Sequence, residues 1–166
     1  MEYEIVYLGL GSNRGDRIGY LKKVVGMITK KIGKVFSKSS LYMSEPWGFM
    51  DDRFFLNQVI GVKTPLSPQE VLQKIKEIED ELGRRRSGEG YEGRTMDIDI
   101  LLYSDRVMDL QNLKIPHPLV PDRNFVLIPL AEIAGSYIHP VCQKSVASLL
   151  KECKDQKQVK IVKFKT

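Results

Sequence analysis

Apolar and polar residues alternate along four segments of the chain, whereas two longer segments repeat their apolar positions every three or four residues. Strict alternation is typical of half-buried strands, and the longer period is typical of amphipathic helices. The patterns predict strands over 3–10, 34–43, 54–63 and 97–103, and helices over 16–32 and 67–82. This β-α-β-β-α-β order indicates a ferredoxin-like α+β fold, an antiparallel sheet with both helices on one face. We expect the other sheet face to be free to build a site.

Local signals support the ends of both predicted helices. Asp16 is placed to open the first helix, and Gly33 is placed to end it. Ser67 and Glu70 form a capping-box pattern, with Pro68 at the first helical position of the second helix. Each helix therefore has an independent start or stop signal besides its periodicity.

The chain after residue 103 has weaker patterns. Four prolines predict an irregular segment there: Pro116, Pro118, Pro121 and Pro129. A short helix is expected over 145–152, and an edge strand over 159–164. We interpret these elements as C-terminal additions to the ferredoxin-like core and residues 1–166 as a single domain.

Composition limits the class of protein more than its activity. The 166 residues are 42% hydrophobic and 28% charged, which suits one globular domain with an adequate core. Cys142 and Cys153 form no zinc-site pattern, and they suit a reduced cytoplasmic protein. No apolar run approaches membrane-spanning length. The net charge of +5 suits an anionic ligand, although lysines crowd the last sixteen residues, where we expect a solvated surface rather than a nucleic-acid patch.

Paired carboxylates on the fourth predicted strand are the first candidate chemistry. Asp97 and Asp99 point to the same face of a strand, about 6.6 Å apart along it. Carboxylates so placed can hold Mg²⁺ against the phosphates of a nucleotide, and the preceding segment supplies the cations Arg84, Arg86 and Arg94. The alternative is an ordinary amphipathic strand with a solvated acidic face.

Glycines near the first strand do not form a common nucleotide-binding motif. Arg14 stands where the third glycine of GxGxxG would fall, and no GxxxxGK[ST] pattern occurs in the chain. Rossmann and P-loop phosphate binding are therefore excluded. We expect residues 11–15 to form a tight turn from strand to helix.

Glu79 is an exception in the second predicted helix, because it falls within the apolar stripe. A carboxylate directed toward the core needs a partner or a functional reason, since burying it unpaired is costly. One hypothesis pairs Glu79 with a nearby arginine, and the other places it at the edge of a nucleotide or metal site.

A third group of residues suits a flat heterocycle. Phe55 and Asn57 share one face of the third predicted strand, and Phe125 lies in the later segment. Two rings can sandwich a planar ligand while an amide hydrogen-bonds to its edge. Taken alone, these residue types favour the alternative, in which they are core aromatics and a structural asparagine. His117, between two prolines, is either a loop residue or a donor to phosphate.

Several motifs occur in the order seen in one enzyme family. They are YLGLGSN at 7–13, SLY at 40–42, PWG at 46–48, FLN at 55–57, IE at 78–79, GR at 83–84, GRTMDIDI at 93–100, IPHP at 115–118 and RNF at 123–125. The chain resembles the 6-hydroxymethyl-7,8-dihydropterin pyrophosphokinases of folate synthesis through nearly its whole length. The pair GRTMDIDI and IPHP is the most specific part of this resemblance.

The resemblance implies transfer of the β,γ-diphosphoryl group of ATP to the hydroxymethyl oxygen of the pterin, with release of AMP. It implies that Asp97 and Asp99 bind two Mg²⁺ ions along the triphosphate. ATP binding would involve Glu79, Arg94, His117 and Arg123, while Arg84 and Arg86 would assist catalysis from a mobile loop. A functional link to a separate dihydropteroate synthase is a further expectation.

The resemblance also implies how the pterin is held. The ring would stack between Phe55 and Phe125, and its amide edge would meet Asn57 and the backbone around Ser44, Glu45 and Trp47. The chain departs from the common family pattern at several positions. They are Glu45, Asp52, Arg53, Tyr91, Glu92 and Gly93. These departures leave the proposed metal ligands and stacking rings in place. We expect those at 91–93 to alter closure of the arginine loop and the others to alter entry to the pocket.

Two other classes of function fit parts of the sequence. A basic ferredoxin-like domain with aromatic residues also describes RNA-recognition sheets. The acidic pair argues against RNA because it would repel a phosphate backbone, and the RNP1 pattern is absent from the sequence. A noncatalytic pterin or nucleotide binder is the other alternative, against which the intact Asp97, Asp99 and Arg94 argue.

Overall fold

A computed structural model describes residues 2–12, 16–44, 55–82 and 96–162. The strands are β1 Glu4–Ser12, β2 Lys34–Lys38, β3 Tyr42–Ser44, β4 Phe55–Thr64, β5 Asp97–Tyr103, β6 Met108–Leu110, β7 Leu113–Ile115 and β8 Val159–Ile161. The helices are α1 Arg17–Lys31, α2 Pro68–Glu81, α3 Asn124–Ala134 and α4 Val146–Glu152, with a 3₁₀ turn at Val120–Asp122. The core order β-α-β-β-α-β and the ferredoxin-like class are confirmed.

The main sheet is antiparallel in every pair that the structure describes. Its strands run in the order β5-β1-β4-β3-β8, and β2 also pairs with β4. The single strand predicted over 34–43 is wrong in one respect, because it is divided into β2 and β3. Ser39 interrupts it, since its hydroxyl accepts a hydrogen bond from the Val59 amide at 2.9 Å and its own amide donates to the Val59 carbonyl.

One face of the sheet packs against α1 and α2, as predicted. Asp16 caps α1 by accepting from the Gly19 amide, and Ser67 and Glu70 form the predicted capping box of α2. The two helices bury apolar stripes against alternate residues of β1 and β5. The core residues that these elements contribute are Leu21, Val24, Ile28, Val71, Ile75, Ile78, Val6, Leu8, Leu10, Ile98 and Ile100. Ile98 and Ile100 thus face the core, and their aspartate neighbours face the other way.

The opposite face is not wholly free, which corrects the expectation. Helices α3 and α4 cover part of it and form a second core with Tyr7, Val59 and Leu101. The irregular segment predicted from the prolines contains the whole of α3, with Pro129 inside the helix. Proline removes one helical hydrogen bond, but burial of Leu127 and Leu130 against the sheet favours the helix.

A bulge in β5 helps to build this second core. The pairing register of β1 and β5 shifts between Tyr7 and Leu8, so that Tyr7 is opposite Leu102 and Leu8 is opposite Ile100. The extra residue places both Leu101 and Leu102 in the second core. No helix in the described parts of the chain has the length and apolar character needed to cross a membrane.

His139 is a buried residue in the turn before α4. Its imidazole is only 4% exposed, and Nδ1 accepts hydrogen bonds from the amides of Val141 and Cys142 at 3.2 and 3.0 Å. Burial lowers the pKa of His139 below its ordinary value. The folded protein therefore favours the neutral ring, with its proton on Nε2.

We expect the free energy of unfolding to fall as the pH is lowered from about 7.5 to about 5.5. Above a pH of about 6.5 the ring is neutral in both the folded and the unfolded state. Below this pH the unfolded chain binds a proton more readily than the folded chain does, so the free energy of unfolding falls by up to roughly 1.4 kcal/mol per pH unit. Urea denaturation at several pH values measures the pH dependence of the free energy of unfolding in the wild type and in His139→Gln, both of which retain His117. Equal pH slopes in the two proteins would contradict the assignment.

Candidate functional site

Two glycines on the central strand form the floor of the site. In the β1 register, Gly9 lies between Asp99 on β5 and Val59 on β4, and Gly11 lies between Asp97 and Asn57. A Cβ atom built on Gly11 would lie 3.3 Å from Asn57 Oδ1, and one on Gly9 would lie 3.4 Å from the Leu101 methyl carbons. The missing side chains therefore leave a depression between the aspartates and Asn57.

The glycine floor corrects the predicted turn over 11–15. Gly11 belongs to β1, which continues to Ser12, while residues 13–15 lie outside the described residues. Sequence reasoning did not include Gly9 or Gly11 in the site. The signal was present, since Tyr7, Gly9 and Gly11 occupy alternate positions and so share one strand face.

A cavity of about 260 Å³ lies above this floor. It is near the lower end of the size range of small-molecule sites. Seven residues predicted for pterin, metal or ATP binding line it together: Ser44, Phe55, Asn57, Asp97, Asp99, Arg123 and Phe125. The structure thus brings together side chains from β3, β4, β5 and the start of α3.

The amide of Asn57 is fixed at the edge of this cavity. Its Nδ2 donates to Ser44 Oγ at 2.5 Å, and both residues are buried. Phe55 lies two residues earlier on the same strand and also lines the cavity. One wall therefore combines an aromatic ring with a preoriented carboxamide.

The opposite wall comes from the beginning of α3. Phe125 lines the cavity, and the Arg123 guanidinium carbon lies 5.8 Å from the centre of its ring. This distance is within the range of cation–π attraction. A cationic group and a stacking surface are therefore adjacent on one helix end.

Glu132 fastens α3 to the sheet. Its carboxylate accepts hydrogen bonds from the Ser40 amide, the Ser40 hydroxyl and, at 2.5 Å, the Tyr42 hydroxyl. Burial and the adjacent carboxylate raise the pKa of Tyr42 to about 12. Burial alone would raise the pKa of Glu132, but the hydrogen bonds from Tyr42 and Ser40 outweigh it and lower this pKa. These bonds tie α3 to β3 and to the segment before it.

A second cavity of about 310 Å³ adjoins the aspartate strand. Its lining includes Asp99, His117 and Lys114, together with apolar residues of α2 and β5. Asp99 lines both cavities, so the two cavities adjoin at this residue. His117 is held in place by its amide, which donates to the Leu101 carbonyl at 2.9 Å, and its Nδ1 accepts from the Leu119 amide.

The carboxylates suit a hard cation more than zinc. Asp97 is half-buried and Asp99 is exposed at the cavity. The described part of the chain contains no cluster of three histidine, cysteine or acidic side chains. Mg²⁺ commonly takes only one or two protein carboxylates and completes its shell with water and phosphate oxygens, so this donor set fits it.

Glu79 lies beneath the aspartates and lines neither cavity. Its side chain is buried, and Oε2 accepts from the Ile98 amide at 3.2 Å. This bond anchors the backbone between Asp97 and Asp99. A role for Glu79 in ATP binding stays a prediction, as does its pairing with an arginine.

Five of the predicted site residues lie outside the described residues. They are Glu45, Trp47, Arg84, Arg86 and Arg94. The position of the arginine segment relative to the two cavities therefore stays a prediction from the sequence.

Comparison with known proteins identifies close relatives. The family model for 7,8-dihydro-6-hydroxymethylpterin-pyrophosphokinase matches residues 7–135. A 2-amino-4-hydroxy-6-hydroxymethyldihydropteridine pyrophosphokinase of Aquifex aeolicus is 44% identical over 155 residues, which cover 93% of each protein. The enzyme of the same name from Bacillus subtilis is 38% identical over 163 residues, covering 98% of this chain and 92% of the relative.

Longer proteins also contain this domain. The folic acid synthesis protein fol1 of Pneumocystis carinii is 39% identical over 155 residues, which cover 93% of this chain but 21% of that protein. A crystal structure of Plasmodium falciparum HPPK-DHPS with pteroate superimposes with a TM-score of 0.76 and 19% identity, covering 91% of this chain and 42% of that one. The structural likeness supports the fold.

We expect Gly11→Ala to weaken the binding of a pterin about tenfold, or roughly 1.4 kcal/mol. The new methyl group would displace the Asn57 amide, whose oxygen lies only 3.3 Å from the added carbon. Pterin fluorescence titration measures the affinity. Gly26→Ala is a matched control on an exposed helix position with no atom within 4 Å of the added carbon, and equal affinities in the two variants would contradict the role of the floor.

Proposed function

The chain belongs to the 7,8-dihydro-6-hydroxymethylpterin-pyrophosphokinase family, and from this premise we propose which substrate binds in each of the two cavities. The protein is an ATP-dependent pyrophosphokinase of folate synthesis. The pterin is assigned to the first cavity, above the glycine floor, and ATP is assigned to the second cavity, which contains His117. This assignment rests on Asp99, which lines both cavities.

The pterin ring is proposed to stack between Phe55 and Phe125. Asn57, oriented by its bond to Ser44, would hydrogen-bond to the amide edge of the ring. The glycine floor supports this placement, because a flat ring can approach the backbone closely where Gly9 and Gly11 have no side chains. Backbone contacts from residues around Glu45 and Trp47 remain part of the proposal.

ATP is proposed to lie with its triphosphate along the aspartate face. Asp97 and Asp99 would hold two Mg²⁺ ions, which supply charge neutralisation to the phosphates when bound. Arg123 and His117 flank the aspartates from opposite cavities and would contact phosphate oxygens. Glu79 would contribute indirectly, through the strand backbone that it anchors.

The reaction forms one P–O bond and breaks another. The pterin hydroxymethyl oxygen attacks the β-phosphorus of ATP and its proton is released to solvent, while the bond from that phosphorus to the α,β-bridging oxygen breaks, so that AMP leaves. The cavity walls would orient the hydroxymethyl group toward the aspartates, and positioning of this kind supplies much of the acceleration in phosphoryl transfer. Arg84, Arg86 and Arg94 are proposed to neutralise developing charge and to exclude water.

A link to dihydropteroate synthase is also proposed. The Plasmodium falciparum structure is named HPPK-DHPS, so the two activities occur in one chain there. For this chain we propose a separate synthase that consumes the pterin diphosphate, and we place both in the cytoplasm, where ATP is available. The alternatives of an RNA-binding module and a noncatalytic binder do not fit membership of a pyrophosphokinase family.

We expect Asp97→Asn and Asp99→Asn each to lower turnover by about 10² to 10³-fold, the typical effect of losing a preorganised charged contact. Both changes keep the size of the side chain, so the thermal unfolding midpoint should stay close to that of the wild type. AMP release measured by chromatography gives the rate. Asp105→Asn, in the turn after β5, is the control, and turnover of either test variant near the control rate would overturn the assignment.

A further inference from the structure

The C-terminal segment contacts both walls of the pterin cavity. Residues 155–161, here named the C-terminal clasp, follow α4 and end in β8. At one end Asp155 and Lys157 bond to Asn124, the first residue of α3. At the other end Val159 pairs with Ser44 on β3. The clasp therefore connects α3 and β3, which are far apart in the sequence and both contribute residues to the cavity lining.

Asp155 supplies the cap that α3 lacks locally. Arg123 precedes the helix and makes no capping hydrogen bond with its side chain. Instead, Asp155 Oδ2 accepts from the Asn124 amide at 3.1 Å, from 31 residues away. A carboxylate at this end satisfies one of the free amides of the first turn and also opposes the positive end of the helix dipole. Asp155 Oδ1 accepts from the Lys157 amide, which orients the carboxylate.

The side chain of Asn124 completes the attachment. Its Nδ2 donates to the Asp155 carbonyl at 3.2 Å and to the Lys157 carbonyl at 2.6 Å. The amide is therefore fixed through both of its N–H groups. Asn124 lies between Arg123 and Phe125, which both line the pterin cavity, so that the bonds to the clasp hold the backbone from which these two side chains project.

We propose that Asp155 is a positioning residue, which sets the location of Phe125, and with it the width of the pterin cavity, through Asn124. Glu132 fixes the side of α3 against β3, whereas Asp155 fixes its first turn. The cavity wall is therefore held at two points of one helix. This inference rests on the proposed function, because it assumes that the pterin stacks on Phe125.

The first test compares pterin binding to three variants by fluorescence titration. Asp155→Ala removes both acceptor oxygens, and we expect the pterin dissociation constant to rise about tenfold. Asp155→Asn keeps one acceptor and should give an intermediate value. Glu152→Ala removes a carboxylate that pairs with Lys144 at 3.0 Å on the surface of α4, and it should bind like the wild type.

A double-mutant cycle separates positioning from general destabilisation. If Asp155 acts through Phe125, the effect of Asp155→Ala on pterin affinity should be largely lost in a Phe125→Ala background, since no ring remains to be placed. The drop in the thermal unfolding midpoint caused by Asp155→Ala should persist in both backgrounds. If Asp155→Ala does not fold, the same cycle is run with Asp155→Asn.

Three results would overturn the inference. Unchanged pterin affinity in Asp155→Ala would do so, as would an equal loss in the Phe125→Ala background, or an equal loss in Glu152→Ala. In each case the wild type still binds pterin, so the proposed function stands. A wild type that bound no pterin would overturn the proposed function and this inference together.

Discussion

The site depends on the pairing of β4 and β5 with the central strand β1, which has glycine at two successive positions of one face. Gly9 and Gly11 let β5 and β4 present the aspartates and Asn57 across an open floor. On its other face the same strand buries Val6, Leu8 and Leu10 against two helices. The helix-packed face stabilises the strand, while the glycine face is left to the ligands. Larger residues at either glycine would fill the space in which a flat ring can lie.

The second constraint is the attachment of α3. This helix carries Arg123 and Phe125 at its first turn, and its buried side packs on Tyr7, Val59 and Leu101. The hydrophobic effect that favours this packing is not directional, so hydrogen bonds add orientation to it. The hydrogen bonds that Glu132 accepts from Ser40 and Tyr42 orient α3 relative to β3. Stability and site geometry are thus provided by different interactions.

The sequence predicted the ferredoxin-like core because its periodic segments and helix caps are local signals. Ser67 capped α2 as expected, and the aspartate strand begins at Asp97 and ends at Tyr103 as predicted. Helix α3 was missed because prolines outweighed an apolar pattern whose burial depends on distant strands. Asp97, Asp99, Phe55, Asn57 and Phe125 were predicted from residue type and resemblance, and all five line one cavity. The glycine floor and the C-terminal clasp could not be predicted in this way, since they exist only once strands and helix ends are paired.

We propose that the two adjoining cavities bring ATP and a pterin together for transfer of a diphosphoryl group. This proposal is tested by ³¹P NMR of the purified protein with ATP, Mg²⁺ and 6-hydroxymethyl-7,8-dihydropterin. AMP and a pterin diphosphate should accumulate in equal amounts. Formation of ADP instead would contradict it, because attack would then have occurred at the γ-phosphorus.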